Sequence, residues 1–133
     1  MHRFEVRTQR RTEMVDVTAQ VKAQVARSGV RAGVCQVFVP HTTAAVTINE
    51  NSDPDVPQDL LRVVDALIPF DDPEYRHVEG NSAAHVKATL VGASATVPVE
   101  AGQLALGTWQ AVFFCEFDGP RRREVWVQVV GQV

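Results

Sequence analysis

Histidine occurs four times in these 133 residues, and three of the four, His41, His77 and His85, fall where a pocket is expected rather than a core. His41 follows Pro40, which closes an apolar run, so its imidazole belongs at the rim of a sheet. His77 and Glu79 are two apart and share one side of the chain if the backbone there is extended. His85 falls in the first turn of a short helix, where the N-terminal dipole disfavours the imidazolium and keeps the ring neutral. Two chemistries fit this set. Three imidazoles with a nearby carboxylate are the donors of a catalytic zinc or similar divalent site, with His41, His77 and His85 as ligands. In the other, His41 and His85 are general acid and base and Glu79 orients one ring through its second nitrogen. The spacing is not the His-Glu-x-x-His signature of a metalloprotease, so the residues alone leave both open.

An anion site has separate support. Gly80-Asn81-Ser82 leads into a helix start, where free backbone N–H groups and the dipole favour a phosphate, and Lys87 or Arg121 could complete it. Arg121-Arg122-Arg123 also reads as an ordinary solvated turn. Thr42 and Thr43 follow His41 between two strands and offer hydroxyls to the same pocket. The polar run Asn49-Glu50-Asn51-Ser52-Asp53 can line a pocket or simply cap the next helix. Gln110 offers an amide beside Trp109, for which core packing is the weightier expectation.

Positioning these residues falls to elements that the pattern predicts. Period-two alternation marks strands at 4–7 and 14–17. Val21 and Val25 recur at helical spacing in a helix over 18–28, with Thr18 as N-cap and Gly29 beyond its end. Apolar runs at 34–39 and 44–48 read as central strands. Asp53-Pro54 opens a second helix whose broad apolar stripe, from Leu60 to Ile68, should lie across the sheet until Pro69 stops it. Residues 69–80 have no period and read as a long functional loop. Ser82 caps a third helix from Ala83 to Val91. Strands return at 94–99, 110–117 and 124–130, the last two joined by Asp118-Gly119-Pro120-Arg121 as a hairpin turn. The sum is one α+β domain over residues 1–133, a largely antiparallel sheet packed with about three helices.

Composition narrows the classes further. An apolar fraction of 45% and a charged fraction of 22% are those of an ordinary globular chain. No apolar run approaches the ~18 residues of a membrane span and the start lacks a signal-peptide pattern, so no membrane partner and a cytoplasmic location are expected. A net charge of −3 argues against nucleic acid as a partner. Cys35 and Cys115 lie in apolar stretches without metal or redox spacing and read as buried thiols.

The motifs Pro40-His41-Thr42-Thr43-Ala44, Thr47-Ile48-Asn49-Glu50-Asn51, His77-Val78-Glu79-Gly80-Asn81-Ser82-Ala83-Ala84-His85-Val86-Lys87, Leu106-Gly107-Thr108-Trp109-Gln110 and Glu116-Phe117-Asp118-Gly119-Pro120-Arg121 occur in one order over nearly the whole chain. Together they resemble the YjbQ-like, secondary thiamine-phosphate synthase family. The resemblance implies a compact α+β fold, a homotrimer with the histidine motifs near subunit contacts, and weak coupling of a pyrimidine methyl diphosphate to a thiazole phosphate with release of pyrophosphate. Ala83 departs from the acidic residue or proline expected there. Such a reaction must neutralise a departing diphosphate and hold two ligands in line. Lys87, Arg121, the helix start at Ser82 and a divalent ion, zinc or magnesium, on His41, His77, Glu79 and His85 are expected to do so. The same pocket suits two other activities: a trimeric, non-enzymatic binder of a small phosphorylated molecule or metal, and a metal-dependent hydrolase.

Overall fold

Apolar residues alternate along most of the strands, and that alternation divides the sheets into two stacked layers. The structure, a computed structural model, describes residues 1–133. In chain order the elements are β1 (His2–Arg7), β2 (Glu13–Asp16), α1 (Thr18–Ser28), β3 (Ala32–Phe38), β4 (Ala44–Glu50), α2 (Asp55–Leu67), α3 (Ser82–Val91), β5 (Ser94–Glu100), β6 (Gln103–Leu104), β7 (Gln110–Glu116) and β8 (Arg122–Gln132). Every pairing is antiparallel, in a five-stranded sheet of order β1-β8-β3-β5-β6 and a three-stranded sheet of order β2-β7-β4. Between the sheets lies the main core, where Val37, Val97, Val125 and Val127 of the large sheet meet Val46, Val112 and Phe114 of the small one. Val21 and Val25 of α1 join the same cluster. The far side of the small sheet presents Ala45, Ala111, Phe113 and Cys115, and α3 covers it with Ala84 and Ala88 while α2 adds Leu61 and Val64.

Three expectations change. The segment 118–121 is not a hairpin: β7 and β8 belong to different sheets, so the turn carries the chain from one layer to the other. Local turn chemistry announces a reversal but does not choose the partner strand. β3 is central yet buried on one side only, leaving Val34 and Phe38 exposed, and β4 is an edge strand, with β7 the central one. The apolar stripe of α2 covers the sheet only in part, since none of its residues is fully buried and Leu67 is 75% exposed.

The helix ends follow local chemistry with small shifts. Thr18 is the first helical residue, and the capping acceptor is Asp16, whose carboxylate takes the Thr18 N–H at 2.9 Å and its hydroxyl at 2.5 Å. Gly29 ends α1 in the left-handed region, as expected. Asp53 accepts the Asp55 N–H at 2.9 Å at the start of α2. Asn81, not Ser82, is the residue before α3, and no side chain caps that helix.

Candidate functional site

Alternation puts two charges where strands normally put aliphatics. Arg123 precedes Val125 and Val127 on the inner side of β8, and Glu116 follows Val112 and Phe114 on the inner side of β7. They meet between the sheets, 3% and 0% exposed, in a bidentate ion pair: Arg123 Nε donates to Glu116 Oε1 at 2.9 Å, and Nη2 donates to Oε2. The remaining carboxylate capacity is filled by the Thr8 hydroxyl at 2.7 Å and the Asp118 N–H at 2.9 Å. Burial alone would push the Glu116 carboxyl up, but the bonds from Arg123, Asp118 and Thr8 hold it below its ordinary value.

The same guanidinium reaches the segment that carries His41. Arg123 Nη2 donates to Thr43 Oγ1 at 2.9 Å and to the Thr43 carbonyl at 3.3 Å, and the Phe117 N–H donates to that carbonyl at 3.2 Å. Two residues back, His41 Nε2 accepts the Glu124 N–H at 2.9 Å. Burial, reinforced by the Arg123 charge, lowers the His41 pKa below its ordinary value.

His41 and Thr42 line a cavity of about 430 Å³ together with Ala44, His85, Ala88, Thr89, Gly92 and Ala93. One wall is thus the strand end and the other is α3. His77 comes from the loop to pack edge-on against His85, with ring centroids 5.3 Å apart. At the start of α3, Asn81 Nδ2 donates to Asp118 Oδ2 at 2.9 Å, and Arg121 donates to the same oxygen at 2.9 Å. The Asn81 side-chain oxygen, Oδ1, is buried with no partner. The network around Glu116 and the start of α3 therefore share Asp118.

A scan against family models matches residues 2–132 to the UPF0047 protein YjbQ-like family. The chain belongs to that family. It is 49% identical to the UPF0047 protein YugU of Bacillus subtilis, with 96% of this chain and 97% of that protein aligned. It is 45% identical to a UPF0047 protein of Methanocaldococcus jannaschii, over 98% of this chain and 94% of the other. Among solved structures, an uncharacterized conserved YjbQ/UPF0047 protein of Clostridium acetobutylicum superposes with a TM-score of 0.96 at 48% identity, covering 98% of this chain and all of that one.

Within this YjbQ-like chain the expected site residues separate into groups. His41, Thr42 and His85 meet at one cavity, and His77 joins through His85. Nowhere in the chain do three His, Cys, Asp or Glu side chains come together in a way that could hold a metal ion, so His41, His77, His85 and Glu79 do not form one ligand shell within a protomer. Glu79 stays exposed in the loop. Lys87, expected at an anion, is 4% exposed and directs its ammonium to Asp65 Oδ1 at 2.6 Å, binding α3 to α2. Its position is legible in retrospect, because Ala83, Ala84, Lys87 and Ala88 form the buried side of α3. Thr43 is 5% exposed and belongs to Arg123 instead of a ligand. Arg121 is held by Asp118, close to the start of α3 and still half exposed.

Asn49, Glu50 and Gln110 lie at the other end of the small sheet. β4 pairs Ala44 with Glu116 and Glu50 with Gln110, and those six residue steps span about 20 Å. There Gln110 accepts the Gly107 N–H at 2.8 Å and Asn49 accepts the Glu50 N–H at 2.7 Å. Trp109 is 64% exposed, contrary to the core packing expected of it. The sequence reading missed Glu116, Arg123, Thr8 and Asp118. The available signal was charge at inward-facing strand positions, which is tolerated only when paired.

Proposed function

We propose that the cavity between His41 and His85 receives the phosphoryl end of a small molecule, and that its chemistry is a weak coupling of a pyrimidine methyl diphosphate to a thiazole phosphate. The observation that carries this reading is the convergence of two imidazoles from separate elements, His41 from the strand end and His85 from α3, on one cavity. In the reaction a thiazole ring nitrogen bonds to the methylene carbon, the carbon–oxygen bond to the diphosphate breaks, and its electron pair leaves with pyrophosphate. In this reading the His41 and His85 rings, which line the cavity, donate to the departing diphosphate oxygens. His41, His77, Glu79 and His85 do not come together as one ligand shell within a protomer.

The reading includes self-association as a homotrimer. The outer side of the large sheet exposes Val34, Phe38 and Val130, and Trp126 lies among them with Arg3 4.5 Å above its ring, an apolar area suited to contact with another copy. Light scattering on the eluting protein should give about three times 14.6 kDa. The reading also takes the protein to be cytoplasmic, in keeping with two unpaired, buried thiols. No helix is long and apolar enough to cross a membrane.

Product analysis tests the chemistry. Purified protein given both phosphorylated substrates should yield thiamine phosphate and pyrophosphate, and His85→Ala should abolish both. Free pyrimidine alcohol in their place would make it a hydrolase. Saturable binding of inorganic phosphate without any turnover would make it a binding protein.

A further inference from the structure

We propose that His41 is a fixed hydrogen-bond donor, presenting Nδ1–H to a phosphoryl oxygen in the cavity, and that Arg123 is the positioning residue that holds it so, acting with Glu116 and Thr43. The identity of the acceptor rests on the reading above; the state of the ring rests on geometry alone.

A backbone N–H can donate only to a nitrogen that carries a lone pair. Glu124 N–H lies 2.9 Å from His41 Nε2, so Nε2 is unprotonated and the neutral ring carries its hydrogen on Nδ1. Nδ1 makes no hydrogen bond within the chain and is not sealed from solvent, and the ring that carries it lines the cavity. This ring cannot take a proton from substrate at Nε2 without losing Glu124. Nor can it bind a metal through Nδ1, since both nitrogens would then lack hydrogen. Its remaining role toward an anion is donation. A neutral donor suits a site that must bind an oxygen without surrendering a proton to it.

What keeps the ring in register is the buried pair. His41 lies between Val39, whose N–H is held by the Ala93 carbonyl at 2.8 Å, and Thr43, held on both oxygens by Arg123. Arg123 is itself clamped by Glu116, and the residue that follows it in β8 is Glu124, the donor to His41. Both anchors of the imidazole thus run through adjacent residues of one strand. A buried ion pair is weak support for stability, since apolar replacements of equal size are often as stable. Its value here is geometric: it joins β7, β8 and the His41 segment across the two sheets.

The test is nitrogen-15 NMR of the ligand-free protein at about pH 8, above the ordinary histidine range. The expected spectrum shows His41 Nδ1 protonated and Nε2 bare. Thr43→Val keeps the size of the side chain but removes the hydroxyl that Arg123 grips; it should mix the two tautomers and weaken inorganic phosphate about tenfold, the worth of one hydrogen bond. Thr43→Ser restores the hydroxyl and should behave as the parent, which a purely packing role for Thr43 would not predict. A bare Nδ1 in the parent protein overturns the proposal, and this measurement needs no variant to fold. An unchanged tautomer and phosphate affinity in a folded Thr43→Val overturns the positioning role. Absence of phosphate binding with the expected tautomer intact overturns the ligand reading and leaves the assignment of the ring standing.

Discussion

The two ends of the small sheet have similar raw material and opposite fates. At one end, Thr43, Ala44 and Glu116 are buried, and each polar group there is tied to another strand or sheet. At the other end, Asn49 and Gln110 are exposed and satisfy their own neighbours' backbone. Polar side chains near a strand end are therefore a poor guide by themselves. What distinguishes the first end is that its donors and acceptors come from residues far apart in sequence, Thr8, Thr43, Glu116 and Arg123, and that His41 hangs from the result.

The contrast can be broken most forcefully at Arg123. Arg123→Ala leaves the Glu116 carboxylate buried without its cation and should cost about 3–5 kcal/mol in denaturant unfolding. A loss no larger than that of a surface substitution would show the two ends to be alike. Acid titration of stability is the next test. Glu116 has a folded pKa below its ordinary 4.5, so its contribution is present above that value and is lost as pH falls through the folded one. His41, also lowered, acts in the same direction from its ordinary 6.5 downward, because the unfolded chain takes up a proton that the folded ring resists. Stability against thermal unfolding should thus fall from about pH 6.5 downward, most steeply below about 4.5, and Glu116→Gln should flatten the lower part. Asp65→Ala strands the buried Lys87 ammonium and should cost about 1–3 kcal/mol, while leaving the His41 tautomer untouched. Smallest of all, Gln110→Ala should change stability by no more than about 0.5 kcal/mol and phosphate binding not at all.

Much of the fold could be read locally. Helix 18–28 is announced by its valine spacing and by Gly29 beyond its end, with only the N-cap displaced by one residue from Thr18. The irregular stretch before α3 likewise follows from its prolines and lack of period. Pairing could not be read in the same way. Asp118-Gly119-Pro120-Arg121 has the composition of a hairpin, yet Gly119 is needed for another reason: a side chain there would collide with the Arg10 carbonyl, Glu116 and the Thr8 hydroxyl. Of the site, the meeting of His41 with His85 and of His85 with His77 was foreseeable from their placement at element ends. The exclusion of Glu79 and the diversion of Lys87 to Asp65 were not, because each depends on which way a loop or helix turns relative to a neighbour distant in sequence.

Strand order in the large sheet bears on how the protein is made. β8 follows every other strand in sequence but lies between β1 and β3, pairing His2 with Val127 and Phe38 with Trp126. A chain growing from its N-terminus therefore carries β1 and β3 with a vacant lane between them until β8 has been synthesised. Such high contact order slows folding and leaves apolar strand edges open meanwhile. Because Arg123 and Glu124 lie on that same strand, the His41 segment stays without these anchors until β8 has been synthesised and takes its lane.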